Sequence, residues 1–252
     1  MYMKKIWLPL LSALLLSGCS TTPTPSQKYL KFSASQIYQT AEIKLAKRDY
    51  RDSIEAYEAL DTLYPFNKDV QQAQLDVIYA YFQNDDMPAS AASAERYIRL
   101  YPRADNVDYA YYMKGVANFY QDRGWFQRYM PTDQAVRDPG STLQSYKDFE
   151  VLLKLYPNSV YAPDARQRLV YLRNLSGRYQ AQVAAFYLEK HAYVAAINRA
   201  KIVITQYSET PSCQDALVIL IKAYRALGLT AQAQDTTLVL HTNYPSAALK
   251  QG

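Results

Sequence analysis

LIKAYRALGLTAQAQDTTLVLHTNYP, residues 220–245, is the stretch that decides the fold. Leu220 and Tyr224 stand one helical turn apart, Gly228 interrupts the run, and Ala233 and Leu240 resume a helical spacing that Tyr244-Pro245 closes. Proline lacks the backbone donor and clashes with the turn before it, so a helix ends there. The same closure recurs upstream at Tyr64-Pro65, Tyr101-Pro102 and Tyr156-Pro157, and Tyr207-Ser208 occupies the corresponding place in one further segment. Counted at the second residue of each mark, the intervals are 37, 55, 51 and 37 residues. Periods in this range belong to stacked repeats, here with two units of basic length and two carrying insertions of 18 and 14 residues.

An amphipathic helix is predicted before every mark, over 50–63, 88–100, 142–155, 193–206 and 230–242. Twelve residues before each mark's second residue stand Ser53, Ser90, Ser145, Ala196 and Ala233. Small side chains there let two helices of a hairpin approach closely. Five residues before it stand Leu60, Tyr97, Leu152, Val203 and Leu240, large enough to fill a seam against the next unit. The spacing resembles the tetratricopeptide repeat: Leu220, Tyr224, Gly228, Ala233, Leu240 and Pro245 follow it in the last unit, and Ala41, Ser53, Tyr57, Leu60 and Pro65 in the first. Such units cannot bury their apolar faces alone. The expected fold is therefore all-α, a right-handed superhelical solenoid of five tetratricopeptide-like helix hairpins with a concave binding surface. A continuous coiled coil is excluded, because the recurrent prolines would break its heptad seam.

The two insertions read differently. Residues 123–140, RGWFQRYMPTDQAVRDPG, combine aromatic residues, prolines and charges, which suits an ordered functional loop or a covered structural plug. In 161–190, Leu169, Leu172, Leu175 and Tyr179 keep a helical spacing, predicting one long helix with Gly177 as the place for a bend.

The N-terminus reads as an export signal. Lys4 and Lys5 precede the eleven residues Ile6 to Leu16, too few to span a bilayer, and Leu16-Ser17-Gly18-Cys19 has the pattern of a bacterial lipobox. Cys19 is thus the expected lipidation site. Ser20, rather than Asp, follows it, which resembles an outer-membrane address. The expected division is a signal peptide at 1–18, a lipidated flexible tether at 19–33, repeats 1–2 with the first helix of repeat 3 at 34–123, the insertion loop at 124–140, the remaining repeats at 141–245 and a tail at 246–252. With Cys19 acylated, Cys213 has no partner for an intrachain disulfide and reads as a small buried apolar residue.

Chemistry finds little to work with. Seven glycines nowhere form a phosphate-cradling loop, and the formal charge of +5, two units of which are Lys4 and Lys5, is too weak a bias for nucleic acid. His191 and His241 are 50 residues apart without metal-ligand spacing, and Asp85-Asp86 precedes a helix, where carboxylates cap and complement the dipole. No enzyme, metal or cofactor is expected. Twenty-five tyrosines suit both a core and a wet groove; Tyr79, Tyr81, Tyr109, Tyr111, Tyr112 and Tyr120 fall on first helices.

Across the mature chain the sequence resembles the BamD family of outer-membrane protein assembly lipoproteins. The resemblance rests on 41–64 (AEIKLAKRDYRDSIEAYEALDTLY), 73–81 (AQLDVIYAY), 96–100 with Val107-Asp108-Tyr109, and Tyr112-Met113-Lys114-Gly115. It continues through Asp133 with Arg137-Asp138-Pro139, Tyr156-Pro157-Asn158-Ser159 and 193–199 (YVAAINR). The resemblance implies a scaffold at the periplasmic face of the outer membrane of a Gram-negative bacterium. Its partners would be the barrel-forming assembly protein, through the POTRA domain nearest the membrane, together with accessory assembly lipoproteins and unfolded outer-membrane proteins. Arg199 and its neighbour Asn198 match the family's partner-facing motif, and the N-terminal repeats would offer a substrate groove with Tyr57, Tyr79 and Tyr81. The insertion departs from the family pattern at WFQRYMP, Gln134 and Val136, while Asp133, Arg137 and Asp138 match it. A repeat lipoprotein of cell-wall synthesis or division would share anchor and fold.

Overall fold

The computed structural model describes residues 24–121 and 140–245. Among them the secondary structure consists of eleven α-helices: α1 (Pro25–Lys28), α2 (Ala34–Ala46), α3 (Tyr50–Leu63), α4 (Val70–Gln83), α5 (Met87–Leu100), α6 (Val107–Tyr120), α7 (Gly140–Leu155), α8 (Ala162–Glu189), α9 (Tyr193–Gln206), α10 (Ser212–Ala226) and α11 (Thr230–Asn243). The predicted second helices agree with α3, α5, α7, α9 and α11 to within two residues. The chain divides into two compact units, Met1–Ala73 and Gln74–Gly252.

In the first unit α2 and α3 form a hairpin. Ser33 caps α2 reciprocally with Gln36: its hydroxyl accepts from the Gln36 N–H at 3.3 Å, and Gln36 Oε1 accepts from the Ser33 N–H at 2.9 Å. Lys44 ties the turn by binding Asp49 at 2.7 Å and Asp52 at 2.6 Å. The expected tether through residue 33 is corrected here. Pro25 at the start of α1 and the Thr24 N–H, bonded to Gln27 Oε1 at 3.1 Å, begin a helical turn. Tyr29 is buried, α1 packs on α3, and Tyr64 donates its hydroxyl proton to the Phe32 carbonyl at 2.7 Å. An aromatic residue with a core to enter outweighs a polar, proline-containing flank.

The second unit repeats the hairpin as α6 with α7, α8 with α9 and α10 with α11, and α5 packs on α6, α7 on α8 and α9 on α10. Ser90 of α5 donates to the Ile78 carbonyl of α4 at 2.9 Å, joining that pair in the same way. All five small residues at the crossings are buried, and Leu60, Tyr97, Leu152, Val203 and Leu240 are fully buried. Three of the five small residues do more than make room. Ser53 and Ser145, like Ser90, donate to a carbonyl on the facing helix, Ala41 at 3.1 Å and Gly115 at 2.9 Å. The acceptor lies twelve residues upstream in two cases and thirty in the third, the difference being the 18-residue insertion.

Two backbone devices set the repeat. Between hairpins the N–H of Tyr64, Tyr101, Tyr156 and Tyr207 closes the preceding helix on a carbonyl four residues back, and the N–H groups three and six residues on continue the turn. Tyr207 does so with serine in place of proline, helped by Thr210, whose hydroxyl donates to the Tyr207 carbonyl at 2.7 Å. Within hairpins the four continuous turns share a Schellman pattern, with Asp49 bonded to Lys44, Asp86 to Tyr81, Ala192 to Tyr187 and Leu229 to Tyr224. The left-handed residue of that motif is Arg48, Asp85, His191 or Gly228, with φ of 61°, 63°, 56° and 71°. In the third hairpin the insertion takes this turn's place. There the contact between α6 and α7 is reinforced by Asp148, buried to 5% exposure, which accepts from Asn118 at 2.6 Å and Gln144 at 3.1 Å and pairs with Lys114 at 3.2 Å.

The second insertion is the predicted long helix. α8 has 28 residues and is unbroken through Gly177. That glycine supplies room rather than a break: a Cβ there would lie 2.8 Å from Thr210 Oγ1 and 3.2 Å from Tyr207 Cβ, so the helix passes directly against the connection between the last two hairpins.

Candidate interaction surfaces

The first helices of the second unit carry a face of tyrosines. Tyr112 of α6 stacks on Tyr161, just before α8, with ring centroids 4.7 Å apart and planes 15° from parallel, and Tyr109 leans on Tyr161 at 5.6 Å. Tyr112 donates to Asp164 Oδ2 at 2.8 Å, and the same oxygen accepts from Arg168 Nε. Arg168 also lies over the Phe119 ring, 4.9 Å from its centroid. Ser159 donates to Asp108 Oδ2 at 2.6 Å, holding the start of α8 beside α6. Burial, then Tyr161, Asp76 and Tyr79 nearby, push the Tyr109 hydroxyl well above its usual range; burial and the bond to Asp164 push that of Tyr112 up to about 12. Both phenols therefore remain protonated donors on an amphipathic surface.

The tyrosines singled out in the sequence separate on this criterion. Tyr79 is 40% exposed and Tyr81 half-buried. Tyr57 is only 2% exposed, with its hydroxyl donated to Glu42, so it is a packing residue of the first hairpin and its reading as an open groove contact is corrected. Its ring lies 6.2 Å from that of Tyr38 on the facing helix. Cys213 is buried beside Leu217, Ile221 and Leu240, as read.

A second surface lies on α8 and α9. Asn198 is exposed, and Arg199 is half-buried with Nη1 donating to Gln180 Oε1 at 3.1 Å. Three arginines among the described residues are half-buried. Arg168 pairs with Asp164 and Arg173 with Glu209, whereas Arg199 has only the neutral amide of Gln180. Val194, on the same helix as Arg199, is 63% exposed, and Phe186 of α8 is 54% exposed. Sequence reasoning missed Tyr161, Asp164, Arg168 and Gln180; the i,i+4 spacing of Asp164 and Arg168 was the available signal for that pair. Cys19, Asp133, Arg137 and Asp138 lie outside the described residues.

Among the described residues no group of three or more His, Cys, Asp or Glu is placed to hold a metal ion, and no helix is long and apolar enough to cross a membrane. Sequentially packed helix pairs with a small residue at each crossing define an all-helical repeat protein. The chain belongs to the YfiO family, described as an outer membrane lipoprotein, whose model matches residues 31–239. It is 36% identical over 248 residues to the outer membrane protein assembly factor BamD of Neisseria meningitidis serogroup A, covering 97% of this chain and 93% of that one. It is 38% identical over 234 residues to the BamD of Vibrio cholerae, covering 93% and 96%. The crystal structure of MamA protein overlays with a TM-score of 0.36 at 17% identity, covering 85% of this chain and 97% of that one.

Proposed function

We propose that this chain is a non-catalytic scaffold lipoprotein of the outer-membrane β-barrel assembly machinery, anchored at the periplasmic face by lipid on Cys19. The observation that carries the reading is similarity at 36–38% identity, over nearly the whole length of both chains, to relatives named as outer membrane protein assembly factors. The C-terminal repeats dock the POTRA domain of the barrel-forming assembly protein through Arg199 and Asn198. Arg199 suits that role because it is half-buried, charged and, among the described residues, paired with no carboxylate. A guanidinium presents a fixed fork of donors that matches a partner carboxylate. The face bearing Tyr79, Tyr109 and Tyr112 receives unfolded outer-membrane proteins, whose extended apolar and aromatic segments fit rigid amphipathic rings. Accessory assembly lipoproteins complete the set of partners.

Detergent extraction and pull-down of the lipidated chain tests the reading. Recovery of a barrel-forming assembly protein is expected, with loss of most of it on Arg199→Ala, since truncating one member of a desolvated charge pair costs several kcal/mol. Recovery with no barrel protein, or with cell-wall enzymes instead, refutes it.

A further inference from the structure

We infer that Gln180 is a positioning residue for Arg199, and that its being an amide rather than a carboxylate is what keeps the guanidinium charge available to a partner. The inference rests on the docking reading of Arg199 and adds a residue to it. Gln180 stands on α8 and Arg199 on the adjacent α9, and the amide oxygen accepts a single N–H at 3.1 Å. An arginine side chain is rich in rotamers and loses much of that freedom on being fixed. One hydrogen bond made before the partner arrives settles part of that loss in advance. Four of the five guanidinium N–H donors are left for a carboxylate.

The contrast with the other half-buried arginines gives the amide its meaning. Asp164 and Glu209 supply a carboxylate to Arg168 and Arg173 within the chain, at Nε of the first and Nη1 of the second. A carboxylate at position 180 would complete Arg199 in the same way, and a partner acid would then have to displace it. The neutral acceptor orients the charge without satisfying it.

The test is a double-mutant cycle on the full chain in detergent, binding the full barrel-forming assembly protein, with thermal unfolding measured in parallel. Gln180→Met, which keeps the side-chain length and removes the acceptor, is expected to weaken binding about fivefold, because the partner must then fix a rotamer-rich side chain that the bond had held. Gln180→Glu is expected to weaken it about tenfold or more, because the new carboxylate occupies Arg199 and repels the partner's acid. The Gln180→Met loss should vanish in an Arg199→Ala background, and neither Gln180 variant should move the unfolding midpoint by more than a degree or two. Persistence of the Gln180→Met loss without Arg199, or tight binding by Gln180→Glu, overturns the positioning role while leaving the docking role of Arg199 standing. An Arg199→Ala variant that binds normally overturns both.

Discussion

Hairpins α2/α3, α4/α5 and α6/α7 place a serine where hairpins α8/α9 and α10/α11 place an alanine, and the difference separates two ways of making the same crossing. Ser53, Ser90 and Ser145 are fully buried and hand their hydroxyl protons across to Ala41, Ile78 and Gly115. Ala196 and Ala233 are as deeply buried and offer nothing but small size. Close approach is thus the requirement common to all five hairpins. The hydroxyl is an addition that only a backbone carbonyl within reach makes affordable, since a buried hydroxyl without an acceptor costs on the order of 1–3 kcal/mol.

The strongest way to break both types at once is to fill the crossing. Ser145→Leu and Ala196→Leu are each expected to cost about 3 kcal/mol, read from urea midpoints at unchanged slope, because neither crossing has room for three further carbons. If either variant unfolds with the parent, the crossing is not the tight point. Converting one type into the other is milder. Ser90→Ala should cost about 1 kcal/mol, the net worth of the lost bond to Ile78, and a cost near zero would make serine and alanine equivalent there.

The turns supply a comparison of similar size. Gly228→Ala is expected to lose about 1 kcal/mol through its φ of 71° alone, since no atom lies within 4 Å of the added carbon. His191→Gly, at the matching position with φ of 56°, should change stability by about half that in the opposite sense. Equal signs for the two substitutions would show that packing, not backbone strain, governs these turns. The smallest effect is expected for Ala196→Ser, within about 0.5 kcal/mol, if the new hydroxyl finds the carbonyl of Ala184, the residue twelve positions upstream. A loss well above that value would mean that the last hairpins cross differently from the first three.

The repeat boundaries were legible because proline and tyrosine act locally: Tyr64-Pro65 ends a helix whatever surrounds it. The Tyr207-Ser208 mark was legible only by phase, and the structure shows its function taken over by backbone bonds and Thr210. Crossing residues were legible as small and buried, because burial leaves a periodic trace. Their hydrogen bonds were not, because an acceptor on a facing helix leaves none. The turns at Arg48, Asp85 and His191 were hidden for a related reason: residues that carry a Cβ, and so reach positive φ less readily than glycine, are held there by the flanking helices, and only Gly228 announced its turn. Tyr57 and Tyr79 look alike in sequence, yet one fills a hairpin and the other faces outward. Gln180 carried no signal, since its role exists only once α8 and α9 lie side by side.

The length of α8 has a mechanical meaning. At 1.5 Å per residue its 28 residues make a rod about 42 Å long, twice the length of its 14-residue neighbour α9. Asp164, under the tyrosine face, and Gln180, under Arg199, ride on that same rod sixteen residues apart, which fixes about 24 Å of axial distance between them. Asp164 and Gln180 therefore keep that spacing for as long as the helix between them is intact, so whatever docks on one end is held at a fixed stride from whatever docks on the other.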